Sequence, residues 1–372
     1  MNAEATPIVR DAPPDGGWSA FERTDNADVL ETRAELGLPT DRPIVMTGHH
    51  AEWWHPGLVS KFIAAQRLSN NARGAWSWTL VDHKRAQLHT IEAPCTDDEG
   101  VLVSERVALD RDGDGQQRFA TRTIAERVRT LRDAWQDAQD DTPLGRWQRV
   151  MGASLSPEPG LVAPVRASSL LTTHAARSII ARMLDDPWAC AHAYNRGVAA
   201  APRAGLVPLH AGVDPGAVEL PLWHTRDDGT LGRVFAGDMH AIDPARLAPR
   251  ALLLTGLTRL LLCDLFIHGT GGYVYDWATE VWLKDWLGAC LAPMGAITAD
   301  QTLGLHTPHV DEREAARLRQ YAHRARHQPV LVGDTDAQRR KLERVRTIRE
   351  LPRLSRDRRE VYLTMHRELE AV

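Results

Sequence analysis

Near the start of the chain, short apolar runs typical of strands flank a segment in which apolar residues recur at the spacing of a helix. The apolar run at residues 43–47 predicts a buried strand, and residues 57–70 place apolar side chains at helical spacing. Residues 75–81 then predict a second buried strand. Two strands joined through a helix form a right-handed βαβ unit, which places both strand ends at one edge of a parallel sheet. The pattern therefore predicts an α/β fold.

Further elements are predicted from the same periodicities and from the glycines and prolines at their ends. Strands are predicted at Leu206–His210, Ala217–Trp223, Leu231–Phe235 and Asp264–His268, and residues 86–110 are predicted to be rich in strands. Helices are predicted at residues 26–38, 119–139, 173–200, 250–263, 273–287 and within 311–371, and Arg111–Gly115 is predicted to be a turn.

The predicted elements group into three regions. Residues 1–40 are predicted to be an irregular lead-in with one short helix, because proline, aspartate and glycine are frequent there. Residues 41–300 are predicted to form the α/β core, with a mixed helix and strand insertion at about residues 86–200. Residues 301–372 alternate basic and acidic side chains around leucine, valine and alanine, which predicts a helical C-terminal region.

Composition and charge exclude several classes of protein. The 372 residues carry a formal net charge of -4, whereas a nucleic-acid-binding protein usually presents a basic field. No run of 18 apolar residues predicts a membrane span, and the N-terminus lacks the basic start and apolar core of a signal peptide. Four cysteines without a C-x-x-C pair indicate neither a disulfide framework nor a thiolate zinc site. We therefore expect a cytoplasmic protein.

The polar turn between the first predicted strand and helix carries the densest group of candidate residues. Such turns bind phosphates in parallel sheets, because the helix N-terminus offers free N–H donors. Histidines and a lysine placed there would neutralise phosphate or oxyanion charge. The alternative is that the histidines only hydrogen-bond the turn and that the lysine is solvated. The candidates are Thr47, Gly48, His49, His50, His55, Gly57 and Lys61.

A second candidate group lies at the end of the next strand, where Asp82 and His83 follow an apolar run. Asp82 either orients a histidine, holds a metal or contacts a ribose or amine, or it caps the following turn. A third group surrounds a glycine turn before the predicted helix 273–287. Three glycines there permit positive φ and can present N–H groups to an anion. This third group contains His268, Gly269, Gly271, Gly272, Tyr275 and Asp276.

Three of these motifs, in this order, resemble the cysteine-adding enzymes of bacillithiol biosynthesis. That family has Thr-Gly-Gln-Gln followed by a helix with a lysine, and this chain has Thr47-Gly-His-His50 and then Lys61. The family's next strand ends in Asp-His, as at Asp82-His83, and its downstream apolar segment and glycine motif resemble the region from Pro249 to Tyr275. The likeness covers most of residues 43–290.

The resemblance implies a Rossmann-like parallel sheet core related to nucleotidyltransferases, with an inserted region and a helical C-terminal part. His55-Pro-Gly57 is similar to the His-x-Gly-His signature of those enzymes, with Leu58 in place of the last histidine. Both glutamines of the family motif are histidines here, so the chain resembles a divergent branch. It is still more similar to an uncharacterised family with Phe-Ile-His-Gly-x-Gly-Gly and Thr-Gly-His motifs, which implies no activity.

The resemblance implies a ligase or transferase that joins an amine to a carboxylate-bearing small molecule of unknown identity. In this hypothesis His49, His50 and His55 neutralise developing negative charge, and Asp82 or His83 steers or deprotonates the amine. The glycine turn binds an anionic part of the substrate. A nucleotide such as ATP is one candidate cofactor, and the cofactor is otherwise unknown.

Two alternatives use the same edge of the sheet. The first is a metal-dependent hydrolase with a His/Asp site, although no H-E-x-x-H motif is present and no metal ligand is assigned. The second is a small-molecule-binding relative without catalysis. All three hypotheses require the two glycine-containing segments to meet over one cleft. The basic and acidic tail helices are compatible with a homodimer.

Overall fold

The computed structural model describes residues 8–83, 87–98, 100–110, 117–140, 142–155, 160–302, 305, 312–352 and 355–370. The chain forms two compact units, residues 1–304 and residues 305–372.

The first unit is built on a six-stranded sheet. Its neighbouring strands are parallel throughout, except that the N-terminal strand β1 pairs antiparallel with β11 at one edge. The order across the sheet is β1-β11-β10-β2-β3-β6. The strands are β1 (Ile8–Ala12), β2 (Ile44–His50), β3 (Ala75–Val81), β6 (Val165–Arg166), β10 (Leu265–His268) and β11 (Met294–Asp300).

The parallel strands are arranged so that the chain winds outward from the middle of the sheet in both directions. Read from β6 to β11, their order along the chain is third, second, first, fourth and fifth. The direction of winding reverses between β2 and β10, which are hydrogen-bonded neighbours. In open α/β sheets this reversal opens a crevice at the carboxyl ends of the two strands. The α/β class is confirmed, with a mostly parallel sheet.

Helices cover both faces of this sheet, because alternate residues of each buried strand point to opposite sides. Val45 packs with Phe62 on one face, whereas Met46 packs with Trp282 on the other. The helices of the first unit are α1 (Ala27–Glu35), α2 (Pro56–Asn71), α3 (Arg122–Asp137), α4 (Pro143–Leu155), α5 (Ala167–Leu170), α6 (His174–Asp185), α7 (Pro187–Ala200), α8 (Ala251–Leu261) and α9 (Thr270–Leu287).

Two smaller antiparallel sheets complete the first unit. The strands β4 (Thr90–Thr96) and β5 (Leu102–Ala108) form a hairpin in the predicted strand-rich region. A three-stranded sheet has the order β8-β7-β9 and contributes to the candidate site described below. Its strands are β7 (Glu219–Thr225), β8 (Leu231–Phe235) and β9 (Leu247–Pro249).

Several local predictions are wrong. The predicted lead-in contains a strand that was not predicted, because Ile8–Ala12 forms the edge strand β1. Residues 206–210 form no strand, since the Asn195 side chain takes both backbone groups of Leu209 at 2.7 and 2.9 Å. The predicted helix 173–200 is two helices, because Asp186 caps a new helix that begins at Pro187. Helix α4 was not predicted, and the predicted turn Arg111–Gly115 lies outside the described residues.

The second unit contains helices, as predicted for this part of the chain. Their buried contacts include Ala325, Ala337, Met365 and Leu369. Among the described helices of the whole chain, none combines the length and apolar character needed to cross a membrane. The helices of this unit are α10 (Glu312–His327), α11 (Thr335–Glu350) and α12 (Arg356–Glu370).

Candidate functional site

A cavity of about 540 Å³ lies where the direction of winding reverses. The carboxyl ends of β2, β3 and β10 and the N-termini of α2 and α9 contribute to its lining, as does the three-stranded sheet. Twelve of the fifteen predicted site residues line this one cavity, so the two glycine-containing segments do meet. These twelve are Gly48, His49, His50, His55, Gly57, Lys61, His83, His268, Gly269, Gly271, Gly272 and Tyr275.

Three predicted residues lie behind the cavity wall instead. Thr47 is buried, and its hydroxyl donates a 2.7 Å hydrogen bond to Ile267 O, which joins β2 to β10. Asp82 accepts hydrogen bonds from the backbone and hydroxyl of Ser168, at the start of α5. Asp82 therefore caps the start of α5, whereas the alternative interpretation had it cap the turn that follows it in the chain. Asp276, the third, is fully buried beneath His268.

His83 lines the cavity beside this cap. Burial lowers the pKa of its imidazole, and the neighbouring Asp82 opposes that shift. Within the described part of the chain, the buried Nδ1 of His83 has no hydrogen-bond partner. The lowered pKa favours a neutral imidazole for His83 at a position that lines the cavity.

Strand β2 continues through the first motif, whereas the sequence predicted that it ends at residue 47. Its last three residues pair in register with β3, up to His50 opposite Val81. Glycine is required at position 48, because a Cβ there would lie 2.5 Å from Thr79 Oγ1. The first histidines are consequently fixed by strand pairing and are not part of a mobile turn.

His49 is held as a neutral imidazole. Its Nδ1 accepts a 2.7 Å hydrogen bond from the backbone N–H of His50. Burial and the nearby Lys61 cation lower the pKa of His49 to about 3. Although Glu52 Oε1 lies 3.3 Å from the same Nδ1, the two atoms do not form an ion pair, because that nitrogen already accepts the backbone proton. The remaining proton of His49 is on Nε2.

His55 is the N-cap of helix α2. Its Nδ1 accepts a 3.1 Å hydrogen bond from Gly57 N, and Pro56 occupies the first helical position, where a missing N–H costs nothing. A Cβ on Gly57 would lie 2.7 Å from Thr298 Oγ1, so the helix start is packed closely on β11. His49 and His55 thus both bond the backbone, as the alternative interpretation expected, while their rings still line the cavity.

Lys61 lies one turn into α2 and is buried, with 3% of its surface exposed. Its Nζ donates a 2.9 Å hydrogen bond to the carbonyl of Gly48 at the end of β2. Burial lowers the pKa of Lys61 to about 8. An ammonium has three N–H donors, and the described residues take one of them. The interpretation of Lys61 as a solvated surface lysine is therefore wrong.

The glycines after β10 form the first turn of α9, which begins three residues earlier than predicted. Gly269 is the N-cap with φ of -83°, and neither Gly271 nor Gly272 has positive φ, so no left-handed nest forms. Among the described residues, no side chain caps this turn and none of its own residues is acidic. Its N–H groups are therefore oriented toward the cavity by ordinary helical geometry.

Gly272 is required for a different reason, which is the position of His268. A Cβ at residue 272 would lie 2.5 Å from His268 Nδ1, so only glycine lets the imidazole lie against the helix. The other ring nitrogen, Nε2, is 2.9 Å from Asp276 Oδ2. The Tyr275 ring packs edge-on against the imidazole at 6.1 Å, and burial raises the pKa of its phenol.

The His268–Asp276 pair combines a neutral imidazole with a carboxylate. Burial lowers the pKa of His268, with Asp276 opposing. Burial alone would raise the pKa of Asp276, but His268, Arg259 and Thr255 together hold it well below its usual range. The proton between the two groups therefore belongs to Nε2, and Nδ1 carries a lone pair beside Gly272. His268 and Gly272 are both among the residues that line the cavity.

Two residues on α8 that were not predicted from the sequence hydrogen-bond the carboxylate of Asp276. Arg259 donates a 2.7 Å hydrogen bond to Asp276 Oδ2, and Thr255 donates one of 2.6 Å to Asp276 Oδ1. Arg259 is itself fixed by the carbonyl of Ala292 and by the carboxylate of Glu280. A single arginine in a strongly apolar helix is the sequence signal that marks it, because a buried charge requires a partner.

The described residues that line the cavity include no aspartate or glutamate. They include five histidines and the buried Lys61, and the N-termini of two long helices meet there. Such an environment favours an anionic ligand. In the part of the chain that the structure describes, no group of three or more His, Cys, Asp or Glu side chains has the geometry of a metal site.

Comparison with known proteins adds no family assignment. No protein-family model matches the chain, and no curated protein matches it in sequence. The likeness to cysteine-adding enzymes therefore remains a hypothesis based on the three motifs, and the site is interpreted from its own geometry.

Proposed function

We propose that this chain is an enzyme that joins an amine to a carboxylate-bearing small molecule in the cavity between β2 and β10. In this proposal the core is Rossmann-like and the enzyme is a divergent relative of the cysteine-adding ligases. One observation carries the proposal, namely a neutral His268 backed by Asp276 and placed in a cavity with the buried cation Lys61. An amine nucleophile needs a base, and its carboxylate partner needs a cationic site.

His268 supplies the base in this mechanism. The attacking amine must lose a proton as its nitrogen forms the new bond to carbon, and a neutral imidazole accepts such a proton. Asp276 stabilises the resulting imidazolium across the 2.9 Å hydrogen bond and fixes which ring nitrogen is free. The His268–Asp276 pair thereby takes the role that was predicted from the sequence for Asp82 or His83.

Lys61 and the first turn of α9 bind the anionic partner. The ammonium of Lys61 and the N–H groups of residues 270–272 are donors for a carboxylate or phosphate, and they also stabilise negative charge that develops on a carbonyl oxygen during attack. His49 contributes an Nε2–H donor to the same space, because its Nδ1 is occupied by the backbone.

A carboxylate oxygen is a poor leaving group, and a nucleotide such as ATP would supply its activation by phosphoryl or adenylyl transfer. The residues present fit the phosphate part of such a cofactor. A Cβ built on Gly271 meets no atom of the described residues within 4 Å, so the helix start has open space in front of it. Lys61 and the N–H groups of α9 would hold the phosphates there.

The first experiment measures amide formation directly. The protein is incubated with pooled amines and carboxylates, with and without ATP, and products are identified by mass spectrometry. His268→Gln retains an N–H that can reach Asp276 but has no basic nitrogen, so we expect at least a hundredfold loss of product. His89→Gln, at an exposed position, is the matched control and should retain full activity.

Two outcomes would contradict the proposal. Undiminished turnover by His268→Gln would remove His268 from the chemistry. Binding of anions without turnover under any condition would favour the non-catalytic relative, which uses the same cavity. No observation among the described residues favours metal-dependent hydrolysis. A cytoplasmic location and a homodimer remain predictions from the sequence.

A further inference from the structure

The three-stranded sheet gives the cavity an apolar lining that differs from the histidine-rich part. One side chain from each strand contributes to it, namely Trp223 of β7, Leu231 of β8 and Pro249 of β9. The pairing of β7 with β8 shifts register between Leu220 and Trp223. Such an irregularity re-aims the side chains that follow it.

The indole of Trp223 is held in a fixed plane by Arg250. The guanidinium carbon of Arg250 lies 4.0 Å from the centre of the ring. Arg250 is in turn held by the carboxylate of Glu219, which is 1% exposed, and by a 3.2 Å hydrogen bond to Leu222 O. The buried ion pair therefore prevents the guanidinium from moving away from the ring.

Trp223 is not simply a core residue. It is partly exposed, whereas the four preceding residues of β7 are all buried, and it is one of the residues that line the cavity. Arg250 covers one face of the ring and does not itself line the cavity. A rigid indole backed by a cation presents a flat π surface without the entropic cost of ordering it on binding.

We propose that Trp223 is a specificity-determining residue and that the anionic ligand of this cavity carries a planar aromatic ring, which stacks on the indole. Leu231 and Pro249 flank the ring with apolar surface. The inference depends on the proposed function only for the anionic end of the ligand, which Lys61 binds. The aromatic ring is an additional requirement that the anion site does not impose.

The test uses three phosphates that differ only in their substituent. Inorganic phosphate reports the anion site, and phenyl phosphate and cyclohexyl phosphate compare a flat ring with a saturated ring of similar size. In isothermal titration calorimetry we expect phenyl phosphate to bind about 2- to 10-fold more tightly than cyclohexyl phosphate. Benzoate and cyclohexanecarboxylate repeat the comparison with a carboxylate, and the series with the higher affinity identifies the anionic group.

Trp223 variants separate stacking from anion binding. Trp223→Leu should lose the preference for the phenyl ring while keeping its affinity for inorganic phosphate, and Trp223→Phe should retain most of the preference. Trp277→Leu is the control, because Trp277 is exposed on α9 and does not line this cavity. It should bind all three phosphates like the wild type.

The outcomes distinguish this inference from the proposed function. If inorganic phosphate binds but phenyl and cyclohexyl phosphate bind equally, the aromatic requirement is wrong and the anion site stands. If Trp223→Leu keeps the preference, the stacking surface is elsewhere and the inference is likewise wrong. If inorganic phosphate binds equally well to wild type and Lys61→Met, or does not bind at all, the anion site of the proposed function is wrong.

Discussion

Strand β10 has a buried arginine–aspartate pair at each end, and the two pairs serve different purposes. Asp264 immediately precedes the strand and bonds Arg33 at 2.9 Å, and its remaining acceptor positions bond the backbone N–H groups of Thr24 and Ile44. Every partner of this carboxylate is internal. The pair therefore fixes the chain before the strand to the start of the neighbouring strand β2.

At the other end, Asp276 bonds Arg259 at 2.7 Å in much the same way, but its additional partner is the imidazole of His268. That imidazole lines a cavity. The difference between the two pairs shows that a buried ion pair is not by itself evidence of a functional site. A buried pair becomes chemically useful when one of its partners can titrate and reaches ligand space.

Removing the carboxylate of Asp264, which precedes β10, should have the largest effect on stability. In Asp264→Ala the buried Arg33 loses its counter-charge and two backbone N–H groups lose their acceptor. We expect the free energy of unfolding to fall by about 3–5 kcal/mol, measured by urea denaturation. Asp227→Ala, which breaks the exposed pair with Arg246, should leave it unchanged. Equal stability of the two variants would contradict a structural role for Asp264.

Lys61→Met tests the charge of Lys61 in the cavity through the pH dependence of the free energy of unfolding. The folded-state pKa of about 8 lies below the ordinary value of 10.5, so folding disfavours the protonated lysine. Below pH 8 both states are protonated and this cost is complete; it disappears as the pH rises to 10.5. The variant should therefore be more stable by on the order of 2–3 kcal/mol at pH 7, with the difference vanishing near pH 10.5.

Anion affinity should show the opposite trend with pH. The wild type should bind inorganic phosphate progressively more weakly above pH 8, as Lys61 loses its proton, whereas Lys61→Met should bind weakly throughout. A stability difference that is independent of pH would show that Lys61 does not titrate between these values.

Gly272→Ala should displace the imidazole of His268 without disturbing the Arg33–Asp264 pair. The new Cβ would lie 2.5 Å from His268 Nδ1, so the ring must move, and we expect about a tenfold loss of phosphate affinity or of turnover. Gly271→Ala is matched in helix position, and its Cβ meets no described atom within 4 Å. The ring ¹⁵N resonances of His268 should shift in the first variant and stay unchanged in the second.

The smallest effect is expected for Glu280→Gln. Glu280 is partly exposed and shares Arg259 with Asp276. Without its negative charge, Arg259 neutralises Asp276 more completely, so the pKa of His268 should decrease slightly further, by about half a unit or less. An NMR titration of the imidazole measures this shift. An increase in the pKa would contradict the proposed coupling of Arg259 to His268 through Asp276.

The position of the site could be predicted from the sequence, because it depends on periodicity and on chain handedness. The apolar runs at residues 43–47 and 75–81 identify parallel strands, and right-handed crossovers bring their polar ends together. The glycine segment near His268 joins them because β10 pairs directly with β2. These rules require no knowledge of side-chain packing.

The chemistry within the site could not be predicted in the same way. Asp276 lies two turns inside α9, and its contact with His268 and Arg259 depends on how α8 packs on α9. Asp82 was assigned a role because it ends a strand, yet its geometry directs it to Ser168. Trp223 reaches the cavity only because a separate sheet folds over it. Such contacts depend on tertiary packing, and no periodic pattern of residues in the sequence predicts them.

The N-cap of helix α9 is a glycine, and within the described residues no side chain caps its first turn. A bound anion would therefore serve as the missing cap. Anion binding in the cavity and ordering of the first turn of α9 are then thermodynamically coupled. Amide hydrogen exchange at residues 270–272 should slow when the cavity fills. The helix end then reports binding of a colourless ligand whose identity need not be known beforehand.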